Sequence, residues 1–120
     1  MAREPNDLIR RIFEFARLAR RLIDRLPRSV ANFEDARQLA RSSGSVAANY
    51  LEAQEGLSRK DFFYRIKVCR KEARESALWL RLLDISGDGE ANKQREKLID
   101  EAEELKRIFA RIASKDDTQD

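Results

Sequence analysis

Residues 58–84 read SRKDFFYRIKVCRKEARESALWLRLLD, and this segment presents three different faces. Phe62, Ile66, Cys69, Ala73, Ser76, Ala77, Leu80 and Leu83 recur at steps of three and four, the spacing that gathers side chains on one side of an α-helix. At 100° per residue Tyr64, Val68, Trp79 and Leu82 fall within about 60° of one another on a second flank, beside that stripe. Lys60, Lys67, Lys71 and Arg74 share a third direction within about 60°, with Arg70 and Arg81 at its margin. A helix of about residues 59–84 is predicted, and packing on one side alone would leave its second apolar flank wet.

The signals on either side extend the same reading. Upstream, Gly56 suits a left-handed C-cap and Ser58 an N-cap over Asp61, so a short turn should join this helix to its predecessor. That predecessor, about residues 33–55, carries Ala36, Leu39, Ala40, Ser43, Val46, Ala47, Tyr50 and Leu51 as its stripe. Small side chains of this kind permit close helix approach but yield less transfer free energy, at about 25 cal/mol per Å² of apolar surface, than leucine would. Gly44 interrupts the run and suggests a neighbour passing close by. Asn32 followed by Asp35 is a candidate cap, although Ser29 offers an earlier start. Before Pro27, Leu8, Ile12, Phe15, Ala19, Leu22 and Leu26 define a helix of about residues 6–26, which the proline should end. Downstream, Ser86-Gly87-Asp88-Gly89 breaks the chain before a fourth helix of about residues 90–113, through Leu98, Ala102, Leu105, Phe109 and Ile112. Residues 114–120 are expected to form a frayed tail. At 1.5 Å per residue the four helices have matched lengths of roughly 30–40 Å, and short connections between them favour an all-α, up-down-up-down antiparallel four-helix bundle.

A chain of 120 residues has room for a single domain spanning residues 1–120. With 42% apolar and 39% charged residues, and only four Gly and two Pro, it belongs neither with collagen-like nor with disordered sequences. Histidine is absent and Cys69 is the sole cysteine, which removes intrachain disulfides, thiolate zinc clusters, Ser/His triads and histidine-metal sites. No phosphate loop or nucleophile elbow is present, so no enzyme, cofactor or metal is expected. The first residues, MAREPNDLIRRIFEF, place acidic groups where a signal peptide would need apolar ones, and no 18-residue apolar run exists. The expectation is a cytoplasmic protein without a membrane segment. The net charge of +3 is small, but residues 1–83 hold 18 basic against 11 acidic side chains, whereas residues 84–120 hold 7 against 11.

Three groups of residues stand out as candidate sites. The cations Lys60, Lys67, Arg70, Lys71, Arg74 and Arg81, together with an outward row of Arg10, Arg17 and Arg21 interrupted by Glu14, can contact a phosphate backbone or simply form a solvated face. Ser42, Ser45, Asn49 and Glu52 follow one flank of the second helix, suited either to interhelix hydrogen bonding or to recognition of a polar partner. Tyr64, Val68, Trp79 and Leu82 form a candidate interface between copies of the chain, because exposed aromatics are costly. Cys69, on the main stripe, reads as a small buried hydrophobe.

Two segments, ARSSGSVAANYLEAQEGLSRKDFFYRIKVCRKEARESALWLRLL and EKLIDEAEELKRIFARI, resemble the four-helix-bundle proteins encoded by intervening sequences in bacterial 23S ribosomal RNA genes. The resemblance is carried by S-x-x-x-N-x-x-E at Ser45, Asn49 and Glu52, and by Phe62, Lys71, Glu72, Ala73, Glu75, Ser76, Trp79 and Leu80. The glycine that usually follows the first pattern is displaced here to Gly56. The resemblance implies a ring-like homopentamer and a link to the basic, pentameric accessory protein of diversity-generating retroelements, which partners a reverse transcriptase and its RNA. The leading expectation is therefore a non-enzymatic oligomer that binds RNA or DNA through its basic stripes. A protein adaptor for a reverse transcriptase, using the Ser42/Asn49/Glu52 flank, is a second reading, and an intervening-sequence product with no required cellular activity a third.

Overall fold

In the computed structural model, which describes residues 5–118, the chain forms α1 (Pro5–Asp24), α2 (Val30–Glu55), α3 (Arg59–Leu82) and α4 (Gly89–Ala113). There is no strand among the described residues. Successive helices run antiparallel; α1 and α3 each pack on α2 and α4, while the diagonal pairs do not meet. This is the four-helix bundle that the apolar periodicity predicts. No helix among the described residues is long and apolar enough to cross a membrane.

The helix ends follow local chemistry, with three differences from the sequence reading. α1 stops at Asp24 rather than Leu26, because the last turn before Pro27 loosens into bonds from Arg25 N to Leu22 O (3.0 Å) and Leu26 N to Ile23 O (3.2 Å). α2 begins at Val30, three residues early: Ser29 is extended (φ −158°, ψ 160°) and its hydroxyl accepts from Asn32 N at 3.0 Å. Asn32 is thereby freed from capping and is buried instead. Its amide group donates to Pro27 O (3.0 Å) and Asp84 O (2.9 Å), and its side-chain oxygen accepts from Asp84 N (2.9 Å). One side chain thus ties the α1–α2 turn to the α3–α4 turn. α3 ends at Leu82 rather than Asp84, since Leu83 turns extended and the backbone beyond is held from outside the helix. Arg95 donates to Leu83 O at 2.6 Å, and Asn32 takes both polar groups of Asp84. The α2–α3 turn matches expectation, with Gly56 at φ 47° and Ser58 capping Asp61 N at 3.0 Å. Asp88 caps α4 by accepting from Ala91 N at 3.1 Å.

The core is built from Ile12, Phe15 and Leu22 of α1, Leu39 and Val46 of α2, Ile66, Cys69 and Leu80 of α3, and Leu105 and Phe109 of α4, all of them fully buried. Between α2 and α3 the seam is lined by small groups. Ser42 Oγ and Ser76 Oγ share a hydrogen bond of 2.7 Å out of water, beside Ala73 and Ala77, and the Cys69 thiol donates to Val46 O at 3.6 Å. The stripe drifts at its ends: Leu51 is exposed while Ala53 is buried, and Phe63 rather than Phe62 is the more deeply buried of the pair. Continuous periodicity over seven turns cannot place both ends of a straight helix against neighbours that cross it at an angle.

Candidate nucleic-acid interface

Because α3 and α4 are antiparallel, the outward cations of α3 lie opposite the last turns of α4. There Lys67, Arg70, Lys71 and Arg74 face Lys106, Arg107 and Ala110 across a groove of about 580 Å³. Among the described residues no aromatic ring and no carboxamide lines it. Most of the cations have acidic neighbours: Lys67 meets Asp116 at 2.7 Å, Lys71 meets Glu75 at 4.0 Å, Lys106 meets Glu103 at 2.9 Å and Arg107 meets Glu104 at 3.2 Å. Arg70 and Arg74 are exposed and form no ion pair among the described residues. Glu103 is held below the usual carboxylate range chiefly by the hydrogen bond from Lys106, with Arg81 contributing across the helices at 3.4 Å.

Within this arrangement the expected stripe divides. Lys67, Arg70, Lys71 and Arg74 gather in the groove; Arg81 leans onto Glu103 of α4, and Lys60 stands exposed near the start of α3. Arg10, Arg17 and Arg21 are exposed on α1, diagonal to α3, so they form a separate tract, with Arg17 near Glu14 at 3.9 Å. Lys106 and Arg107 were missed at the sequence level because they lie in residues 84–120, where 7 basic side chains stand against 11 acidic ones. The helical step from Glu103 to Lys106, Arg107 and Ala110 is the signal that places them together.

Ser42, Ser45 and Asn49 are engaged between helices. Besides the Ser42–Ser76 bond, Ser45 donates to Glu72 at 3.3 Å, and the Asn49 side-chain oxygen accepts from Arg65 at 3.0 Å. Glu52 is exposed. Glu72, only 7% exposed, is paired with Arg41, whose two terminal nitrogens each approach one of its oxygens at 3.3 Å. Arg41 also reaches Glu75, and these carboxylates, Glu72 first, raise its already high pKa. Of the aromatic flank, Tyr64 and Leu82 are more than half exposed, whereas Val68 and Trp79 are half-buried, and the Trp79 indole packs on the core with its N–H buried and, among the described residues, unbonded. Leu78 adds to the exposed part of this face. Among the described residues no group of three or more Cys, Asp or Glu is placed to hold a metal.

The antiparallel four-helix bundle with a basic groove between α3 and α4 defines a class of small helical proteins. Residues 4–111 match the family of 23S rRNA-intervening sequence proteins, and the chain belongs to that family. It is also similar in structure to a Bacteroides thetaiotaomicron protein of unknown function from the S23 ribosomal protein family. The TM-score is 0.73 and the identity 28%, over 88% of this chain and 96% of the other. No curated protein matches the chain.

Proposed function

We propose that this protein is a non-enzymatic, oligomeric bundle that binds nucleic acid, RNA foremost, by contacting phosphates with the α3–α4 groove. The carrying observation is the convergence of six cations from two helices on one groove, two of them, Arg70 and Arg74, without an acidic partner among the described residues. Among the described residues the groove offers no aromatic platform on which to stack unpaired bases, and its lysines and arginines, although able to reach guanine edges, meet the phosphate backbone first. Lysine and arginine supply the sequence-indifferent part of binding through release of counterions from the phosphate backbone. The engagement of Ser42, Ser45 and Asn49 within the chain favours this reading over an adaptor that would use them for a protein partner. With no histidine in the chain and its one thiol buried, the reading assigns no reaction to it.

Oligomerisation is the second part of the proposal. Tyr64, Leu78 and Leu82 expose apolar surface on α3, and a second copy of the chain covering them would also shut water from Val68 and Trp79. The family resemblance implies a pentamer, and five copies is the number this proposal takes.

Fluorescence anisotropy with RNA and DNA duplexes and single strands, repeated across salt concentrations, tests the first part. Binding should weaken linearly in log–log form, with a slope of about −2 to −4 per subunit on duplex. Arg70→Ala/Arg74→Ala should weaken binding at unchanged helicity; absent or salt-insensitive binding would overturn the reading. Mass measurement in solution, with Leu82→Glu as the disrupting variant, tests the second part.

A further inference from the structure

After Ala113 the chain does not leave the bundle. Backbone bonds from Ser114 N to Ala110 O, Lys115 N to Ile112 O and Asp116 N to Ala113 O curl it through one more turn. This turn delivers Asp116 to α3, where one carboxylate oxygen accepts from Lys67 Nζ at 2.7 Å; the side chain is only 5% exposed. The other oxygen accepts from both the backbone N–H and the hydroxyl of Thr118, fixing the carboxylate's direction. The next residue, Asp117, accepts from Arg59 Nη2 at 2.8 Å and Arg59 Nε at 3.2 Å, and that pair is open to solvent. Two consecutive carboxylates therefore occupy two cations of α3, and one of those cations, Lys67, lines the groove assigned above to phosphate.

We propose that residues 114–118 are a built-in competitor for the groove: Asp116 and Asp117 hold Lys67 and Arg59 as two phosphates would, and nucleic acid binds fully only by displacing them. The inference rests on the phosphate-binding reading of the groove. Charge-assisted bonds from Lys and Arg serve carboxylate and phosphate alike, so the same side chains cannot serve both at once. The two contacts are graded. Arg59–Asp117, with both partners mostly exposed, is the weak end at which displacement begins. Lys67–Asp116, shielded and oriented by Thr118, is the firm end, and it sets how much affinity the strap withholds.

The test is the affinity of the full chain for a 20-base-pair RNA duplex at low salt. Asp116→Asn/Asp117→Asn keeps the side-chain oxygen that Thr118 needs while removing both negative charges. Asp117→Asn alone, at an exposed position, guards against loss of fold in the double variant. Asp24→Asn/Glu34→Gln removes the same charge from exposed positions on α1 and α2 and reports the general effect of net charge. The strap variant is expected to bind about 5–10-fold more tightly and Asp117→Asn about 2–3-fold, against less than about 2-fold for the charge control. Lys67→Ala should also cost more affinity in the strap variant than in the parent chain. Equal gains in strap and control variants, or no gain, overturn the competitor and leave the groove in place. Failure of every form, parent included, to bind the duplex or any other nucleic acid overturns the groove assignment and the competitor together.

Discussion

Replacing Asn32 with alanine removes one side chain and three hydrogen bonds, to Pro27 O, Asp84 O and Asp84 N, all between 2.9 and 3.0 Å. Each such bond contributes about 0.5–1.5 kcal/mol net, so the three together are worth about 1.5–4.5 kcal/mol. Pro27 and Asp84 lie in exposed turns where water can reach part of the vacated backbone, which moves the expectation to about 2.5 kcal/mol. For a chain of this size that is a fall of about 10 °C in Tm, or of about 1.3 M in the urea midpoint at a slope of about 2 kcal/mol/M. Ser29→Ala is the comparison, since it removes only the cap on α2 and should cost about 1 kcal/mol. Urea unfolding followed by circular dichroism at 222 nm measures both. If Asn32 merely capped the helix, the two variants would cost the same. A loss below about 1 kcal/mol for Asn32→Ala, or one no larger than that of Ser29→Ala, would refute its role as the tie between the two turns.

Three further outcomes follow from the packing. Burial pushes the Cys69 thiol up to about 12, so native protein should resist Ellman's reagent and react only after unfolding; rapid labelling in buffer would contradict the buried position. Asp88 is held below its ordinary value first by the Ala91 backbone N–H and then by Arg25, so its contribution is present above the unfolded carboxylate's pKa near 4 and is lost as pH falls through the lower folded value. Asp88→Asn should remove that part of the acid sensitivity, as read by urea midpoints between pH 6 and 2.5. At Gly44 an added Cβ would lie 3.2 Å from Arg20 Nη2, the movable end of a long side chain. Gly44→Ala should therefore gain about 0.5 kcal/mol from helix propensity after Arg20 shifts, and a thermal melt showing a net loss above about 1 kcal/mol would mean that Arg20 cannot give.

The four helices were legible because their apolar residues repeat at helical spacing and because Pro27, Gly56, Ser58 and Asp88 punctuate them through purely local chemistry. Ser29 and Asn32 were not separable by the same means. Both residue types cap helices well, and what decides between them is the backbone of Asp84, 52 residues away. The site divides in the same manner. The cations of α3 could be read from one helical wheel, but Lys106 and Arg107 join them only through the antiparallel register of α3 and α4. Ser42, Ser45 and Asn49 showed their spacing but not their partners, because Ser76, Glu72 and Arg65 belong to the facing helix. Sequence periodicity describes one helix at a time, and these assignments are properties of pairs.

The alanines and serines between α2 and α3 have a thermal consequence. Ala73 and Ala77 surrender no side-chain rotamers when the helices meet, and they remove less hydrocarbon from water than leucines would. Less apolar hydration released means a smaller heat-capacity increment on unfolding, and hence a shallower curve of stability against temperature. Cohesion at this seam relies on close approach and the shared Ser42–Ser76 bond, and so fades less on cooling than that of the leucine- and phenylalanine-rich contacts elsewhere in the bundle.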